Sequence, residues 1–169
     1  MLISAHAGYP RWIDSGADFV ELDIRRDDQG VIVDAHHPPA PGERHATYDE
    51  ILARTAGRIG LHLDLKEAGF ELELVARALE RFQPDRIVVT PDFESSARTI
   101  KEHFPPVRVS PTDFVTLDQK NPVVYTGKPV WVWTVDDPRR MARLMDDTAV
   151  ECIVTNRPDL ALKLRRARW

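Results

Sequence analysis

The sequence is poor in cysteine and in long apolar runs, and it has no excess of basic residues. Cys152 is the only cysteine, which excludes an intramolecular disulfide. Its apolar neighbours predict a small buried side chain, not a catalytic thiol. No apolar run approaches the ~20 residues that a membrane span needs. Acidic residues number 27 against 23 basic ones, for a net charge of −4, so nucleic acid is not the expected partner.

The N-terminal stretch "MLISAHAGYP" has neither the basic start nor the long apolar segment of a signal peptide. Together with the single cysteine, this predicts a cytoplasmic protein without stable membrane insertion. The 169 residues, of which 43% are hydrophobic and 30% charged, suffice for one domain over residues 1–169. The sequence contains no repeat or linker that would divide it.

Short β-branched runs alternate with helical patterns along the whole chain. The runs predict strands over residues 2–6, 19–25, 31–37, 61–66, 86–91, 107–111, 130–135 and 152–156. The helical patterns cover residues 47–55, 69–82, 93–103, 137–147 and 158–167. This alternation predicts an α/β fold with mostly parallel strands, and about eight strands favour a TIM-type (β/α) barrel. An open doubly wound sheet is the alternative, but the first strand is not followed by a Gly-rich turn.

The barrel must be trimmed, because a full one usually needs ~200 residues or more. Residues 7–16 leave no room for a normal first helix, and residues 112–127 are too short for a full strand-and-helix unit. We therefore expect a short or missing first helix and a shortened unit near 112–127.

The strand "FVELDIRR" carries two carboxylates that point the same way. Side chains alternate along a strand, so Glu21 and Asp23 share one face, about 6.6 Å apart along the chain. Two like charges on a buried face repel each other and lose hydration. Either the face is wet or a positive charge compensates it.

The strand "LHLDLK" places Asp64 and Lys66 on one face. With Glu21 and Asp23, Asp64 completes a set of carboxylate oxygens that suits Mg²⁺ or Ca²⁺ better than zinc. Lys66 is placed to bind an anionic ligand near this metal. His62 lies deeper on the same face and is expected to be a hydrogen-bonded core histidine.

Two histidines near the ends of predicted strands have the chemistry of an acid–base pair. His6 ends the first strand and His36 lies near the end of the third. Imidazole titrates near neutral pH, so one ring can accept a proton while the other donates one. Metal, lysine and two histidines together predict phosphodiester cleavage.

The motifs resemble the glycerophosphodiester phosphodiesterase family over nearly the whole chain. The specific portions are "GADFVELDIRRDDQG" and "WVWTVDD…IVTNRP", with "AHAG" and "LHLDLK" in the matching order. The resemblance implies a TIM barrel that hydrolyses glycerophosphodiesters to glycerol 3-phosphate and an alcohol with a divalent metal. It also implies site roles, which are catalysis for His6 and His36, metal ligation for Glu21, Asp23 and Asp64, and substrate binding for Lys66 and Trp133.

The sequence departs from the family pattern at several positions. The family follows its first histidine with a phosphate-binding arginine, where this chain has Ala7. Arg157, at the end of the last strand, is a candidate replacement. Asp64 stands where the family usually has glutamate, and the insertion that shapes the glycerol pocket is reduced to a short loop. An open mouth favours a bulkier substrate, such as a lysophospholipid.

We therefore expect a metal-dependent phosphodiesterase that acts on a small-molecule phosphodiester and releases glycerol 3-phosphate or a cyclic phosphate. Which histidine is the acid, which metal binds and what the oligomeric state is stay open at this point. The alternative is a degenerate, non-catalytic barrel that binds a phosphorylated ligand or a partner protein. Ala7 and the missing helix motivate this alternative, while the retained carboxylates, histidines and lysine oppose it.

Overall fold

The computed structural model describes residues 1–123 and 125–168. The described residues form ten strands, which are numbered in chain order. Eight of them form one parallel sheet that curls into a trimmed barrel. They are β1 (Leu2–Ala5), β2 (Phe19–Arg26), β5 (Gly60–Leu65), β6 (Ile87–Pro91), β7 (Arg108–Val109), β8 (Val115–Asp118), β9 (Val130–Trp133) and β10 (Val150–Thr155). The spatial order is β7-β6-β5-β2-β1-β10-β9-β8, so β7 and β8 are the terminal strands. The predicted TIM-type architecture is confirmed.

Five helices cover the outside of this sheet, at the places that the sequence predicts. They are α1 (Tyr48–Thr55), α2 (Glu71–Leu79), α3 (Glu94–His103), α4 (Pro138–Met145) and α5 (Pro158–Arg166). Their buried residues and the outward faces of the strands form one large apolar cluster. None of the helices in the described ranges is both long and apolar enough to cross a membrane.

The trimming falls where the sequence predicts it. Residues 6–18, between β1 and β2, form turns, and only residues 110–114 separate β7 from β8. The Asp113 carboxylate accepts a hydrogen bond from the Val109 backbone N–H at 2.8 Å and lies 2.9 Å from Lys101 Nζ. The turn after β7 thus supplies a hydrogen-bond acceptor to a backbone N–H of this terminal strand. The barrel thus replaces a helix with one charged turn. Val124, within the predicted short unit, lies outside the described residues.

One strand assignment from the sequence is wrong. The predicted strand 31–37 is not a barrel strand, because β3 (Ile32–Asp34) pairs antiparallel with β2 and then with the short β4 (Ala46–Thr47). The turn at residues 27–31 folds the chain back, and Gly30 allows it with a φ of 79°. The missing barrel strand is β8, which the sequence analysis left inside the short unit near 112–127.

Inward-facing side chains fill the lower half of the barrel and leave the upper half open. Trp131 is fully buried, with its ring 5.6 Å from that of Phe19 and 4.8 Å from that of Phe114. This second cluster lies at the amino-terminal ends of the strands, below the carboxylates of β2. The polar inward residues are thereby confined to the carboxyl ends, where parallel barrels place their chemistry.

Candidate functional site

Three carboxylates meet at the carboxyl ends of β2 and β5. The two strands pair in parallel with Asp23 beside Asp64, and Glu21 lies two residues below Asp23 on the same face. One oxygen from each of Glu21, Asp23 and Asp64 lies within 4.8 Å of the others. The structure thus brings together the three ligands that the sequence predicts.

The acidic trio carries an electrostatic cost that a bound cation would offset. Burial and the neighbouring charge of Asp23 raise the pKa of Glu21 to about 8, although the Ala7 backbone N–H donates to Glu21 Oε2 at 2.6 Å. Burial also raises the pKa of Asp64, against the opposing effect of Lys66. A set of only oxygen donors with this much uncompensated negative charge fits a hard divalent ion.

Lys66 is the cation nearest to the trio. Its Nζ lies 2.5 Å from Asp64 Oδ2 and 3.3 Å from Asp23 Oδ1. The side chain starts at the end of β5 and lines the cavity above the carboxylates. Lys66 therefore neutralises part of the negative charge of the three carboxylates. Its ammonium group also lies beside the place where a metal-bound anion would sit.

His36 reaches the trio from a hairpin strand and not from a strand of the barrel. It follows the antiparallel strand β3, which returns along β2 so that the Ala35 N–H donates to the Asp23 carbonyl at 2.8 Å. The His36 Nδ1 then lies 3.1 Å from Asp23 Oδ2. The hairpin, not the end of a parallel strand, positions this histidine.

His6 lies on the opposite flank and is held by a relay of two polar side chains. Its Nδ1 lies 3.0 Å from Asn156 Oδ1, while Asn156 Nδ2 donates to Asp136 Oδ2 at 2.8 Å. Because Asp136 accepts from the amide nitrogen, the amide oxygen must face His6 and accept a proton from Nδ1. In neutral His6, Nε2 is thus left as an acceptor.

Asp136 is the last residue of this relay, and hydrogen bonds to its carboxylate hold it in place. Burial alone would raise its pKa, but hydrogen bonds from the side chains of Asn156 and Thr155 lower it. The sequence analysis missed both Asp136 and Asn156. The available signal was their position at the ends of β9 and β10, beside residues that were already under consideration.

We expect Asn156→Ala to lower kcat about 10- to 100-fold while leaving KM nearly unchanged, because His6 would lose the group that fixes its tautomer and orientation. Steady-state kinetics on a glycerophosphodiester would measure the split. Asn121→Ala, in the loop after β8, is the matched control and should behave like the parent chain. A raised KM with unchanged kcat would show that Asn156 binds substrate and does not position His6.

His62 is a structural histidine, as the sequence predicts. Its Nδ1 lies 3.0 Å from Ser4 Oγ, its Nε2 lies 3.1 Å from Thr90 Oγ1, and its ring meets Trp131 edge to face. Burial lowers the pKa of His62 to about 3, so the ring is neutral. It forms part of the floor of the cavity without a charge.

Two predicted substrate contacts have different outcomes. Trp133 lines the cavity with its side chain 44% exposed at the mouth. Arg157 is not among the residues that line the cavity, since its guanidinium forms a paired contact with Asp159 at 3.1 and 3.2 Å. The residue after a strand end can face either way, and the Arg157 guanidinium lies beside Asp159 in the first turn of α5. The structure thus gives no support to its predicted phosphate contact.

These side chains surround one cavity of about 320 Å³ at the mouth of the barrel. His6, Glu21, Asp23, His36, Asp64, Lys66 and Trp133 all line it. The remaining walls include the small hydroxyl side chains of Ser110, directly after β7, and Thr116, on β8, and the carboxylate of Asp92. Such a cavity can hold a divalent ion, a phosphate group and a polar alcohol, with an imidazole on either side.

Comparisons with known proteins agree on the fold. No protein-family profile and no curated protein matches the sequence. Three similar solved structures are a glycerophosphodiester phosphodiesterase of Parabacteroides distasonis, one of Agrobacterium tumefaciens, and an Oleispira antarctica phosphodiesterase in complex with sn-glycerol-3-phosphate. Their TM-scores are 0.78, 0.77 and 0.78, at 19%, 16% and 15% identity. The alignments cover 99%, 98% and 98% of this chain and 97%, 99% and 97% of those chains.

Proposed function

We propose that this chain, which has the barrel fold of the glycerophosphodiester phosphodiesterases, is itself a phosphoric diester hydrolase. Its substrates would be glycerophosphodiesters or related lysophospholipids, and its products glycerol 3-phosphate, or a cyclic phosphate, and an alcohol. The observation that carries the proposal is the placement of His6 and His36 on either flank of the trio Glu21, Asp23 and Asp64 in one cavity.

The trio would hold the metal, Mg²⁺ or Ca²⁺. Bound there, the ion would supply positive charge against the phosphate oxygens. The other contributions come from side chains of this chain. Lys66 would bind a phosphate oxygen with its ammonium group, and Trp133 would pack its exposed ring against the glycerol or the alcohol.

His6 is the better candidate for the general base. The Asn156 carbonyl oxygen holds the proton of His6 on Nδ1, so the neutral ring presents the lone pair of Nε2. That lone pair would take the proton from the attacking hydroxyl, which belongs to water or to a neighbouring group of the substrate. Attack by water would give the hydrolysed product, and attack by the substrate's own hydroxyl would give the cyclic phosphate.

His36 would then be the general acid. It would act as the imidazolium, with the Asp23 carboxylate accepting from its Nδ1 and stabilising its positive charge, so that its Nε2 proton is transferred to the leaving alkoxide. As the phosphorus–oxygen bond to the alcohol breaks, this proton neutralises the departing oxygen. The electron pair leaves with the alcohol, and the two histidines have exchanged protonation states. Proton exchange with solvent would restore them.

Glycerol 3-phosphate release from a panel of glycerophosphodiesters and lysophospholipids would test this proposal. We expect release that a chelator abolishes and that added Mg²⁺ or Ca²⁺ restores, because the trio needs a counter-ion to bind a phosphate. Phosphorus NMR of the same reactions would separate the linear from the cyclic product. Release that is equally fast with and without chelator would contradict the proposed site.

A second candidate, a barrel that binds a phosphorylated ligand without turnover, is favoured by one observation. Ala7 brings no charge, and Arg157 pairs with Asp159, so Lys66 is the only lysine or arginine among the described residues that line the cavity. A phosphate group would have fewer permanent cations around it than the family pattern offers. Binding of glycerol 3-phosphate together with no release from any member of the panel would identify this candidate.

A further inference from the structure

The outer surface of the last two helices carries positive charge that the candidate site does not use. Residues 138–168 hold eight basic and four acidic side chains, although the whole chain has a net charge of −4. Positive charge is therefore concentrated on one side of an acidic molecule. Such an asymmetry is a property of the surface and not of the fold.

Four of these side chains form what we term the basic face, which consists of Arg139, Arg143, Lys163 and Arg166. All four are exposed. Arg139 and Arg143 are four residues apart on α4, and Lys163 and Arg166 are three apart on α5, so each pair shares one side of its helix. The opposite sides of the two helices are buried against the sheet, and the helices pack side by side.

The basic face has no acidic partners within the described residues. None of its four side chains lies within ion-pair distance of a carboxylate there. Nearby acidic groups are already engaged, since Asp159 pairs with Arg157 and Asp146 with Arg168. Among residues 1–123 and 125–168, these four cations on adjacent helices thus have no carboxylate partner and are available to a partner with closely spaced negative charges.

We propose that the basic face docks the protein on an anionic lipid surface. Arg139 lies in the first turn of α4, six residues after Trp133 in the sequence. The exposed indole of Trp133 lies at the mouth of the barrel. Exposed indole rings settle at membrane–water interfaces, and arginine and lysine side chains attract anionic headgroups. The choice of lipid over other polyanions rests on the proposed function, because the substrates proposed there come from or lie in membranes.

Vesicle sedimentation with the full chain would test the docking. The probes are phosphatidylcholine vesicles with and without a quarter of phosphatidylglycerol, free of any glycerophosphodiester or lysophospholipid. We expect binding only to the anionic vesicles, and its loss at ~0.5 M salt, because surface charges are then screened over a few ångströms. Because these vesicles contain no substrate, the result stands apart from the outcome of the activity assay.

A double substitution, Arg143→Gln with Lys163→Gln, should weaken this binding about 30-fold at low salt. The matched control is Arg58→Gln with Arg98→Gln, which removes the same charge from exposed positions on other parts of the surface and should bind like the parent chain. Melting temperatures would verify that both variants fold. The proposal is overturned by equal loss in both variants, by equal binding to neutral vesicles, or by binding to heparin or DNA without binding to vesicles.

Discussion

Asp23→Asn is expected to lower kcat/KM for a glycerophosphodiester by on the order of a thousandfold, and to abolish stabilisation by metal. One Asp23 oxygen meets His36 Nδ1 at 3.1 Å, and the other lies 3.3 Å from Lys66 Nζ. An amide keeps the size of the carboxylate but removes its charge, so the trio loses one of its three carboxylates, His36 loses its carboxylate partner, and Lys66 keeps only Asp64. For the parent chain, a metal at ~100 Kd should add about 2.7 kcal/mol to the free energy of unfolding.

Asp92→Asn is the matched control for this prediction. Asp92 lines the same cavity but does not belong to the trio. Its substitution removes one negative charge from the same region and should leave the metal-dependent shift in melting temperature intact. If Asp23→Asn kept that shift, or if both variants lost it to the same extent, the trio would not be the metal site.

His36→Ala is expected to lose about 10²- to 10⁴-fold in kcat on substrates whose leaving group is an alkyl alcohol. On a substrate with a p-nitrophenol leaving group most of this loss should disappear, because a phenolate departs without a proton. His6→Ala should be slow on both substrates, since either reaction needs a base to activate the attacking hydroxyl. Steady-state kinetics of the two variants on the two substrates would give the full comparison.

His103→Ala serves as the control for both histidine variants. His103 ends α3, and its Nδ1 lies 3.0 Å from the Thr99 carbonyl, so the ring has a local partner outside the cavity. Its removal should change neither reaction. Recovery of His6→Ala on the activated substrate, with none for His36→Ala, would exchange the roles assigned to the two rings.

The sequence predicts those parts of the site that a single strand determines. Alternation along β2 places Glu21 and Asp23 on one face whatever the neighbouring strand is, and the same rule places Asp64 above His62 on β5. The barrel itself follows from repeated strand and helix patterns. Local periodicity is thus enough to propose a metal site and its approximate place in the fold.

The features that the sequence did not predict depend on contacts between distant residues. His6 and Asn156 are 150 positions apart, and only the parallel pairing of β1 with β10 brings them together. The second strand of the hairpin that carries His36 was counted in the barrel, because strand periodicity does not reveal pairing direction. The phosphate contact of Arg157 was predicted only from its position after the last strand. That position does not determine the direction in which the side chain points.

The barrel wall between β7 and β8 has a consequence for the size of the alcohol group. These two strands are the first and last in the spatial order of the sheet, and the cavity is lined there by the small side chains of Ser110 and Thr116. On this side the cavity is bounded by two short hydroxyl-bearing side chains, and no ladder of strand hydrogen bonds joins β7 to β8 in the described part of the chain. For the hydrolase proposed above, we expect this side of the cavity to tolerate a longer leaving group, because the side chains that line it are short.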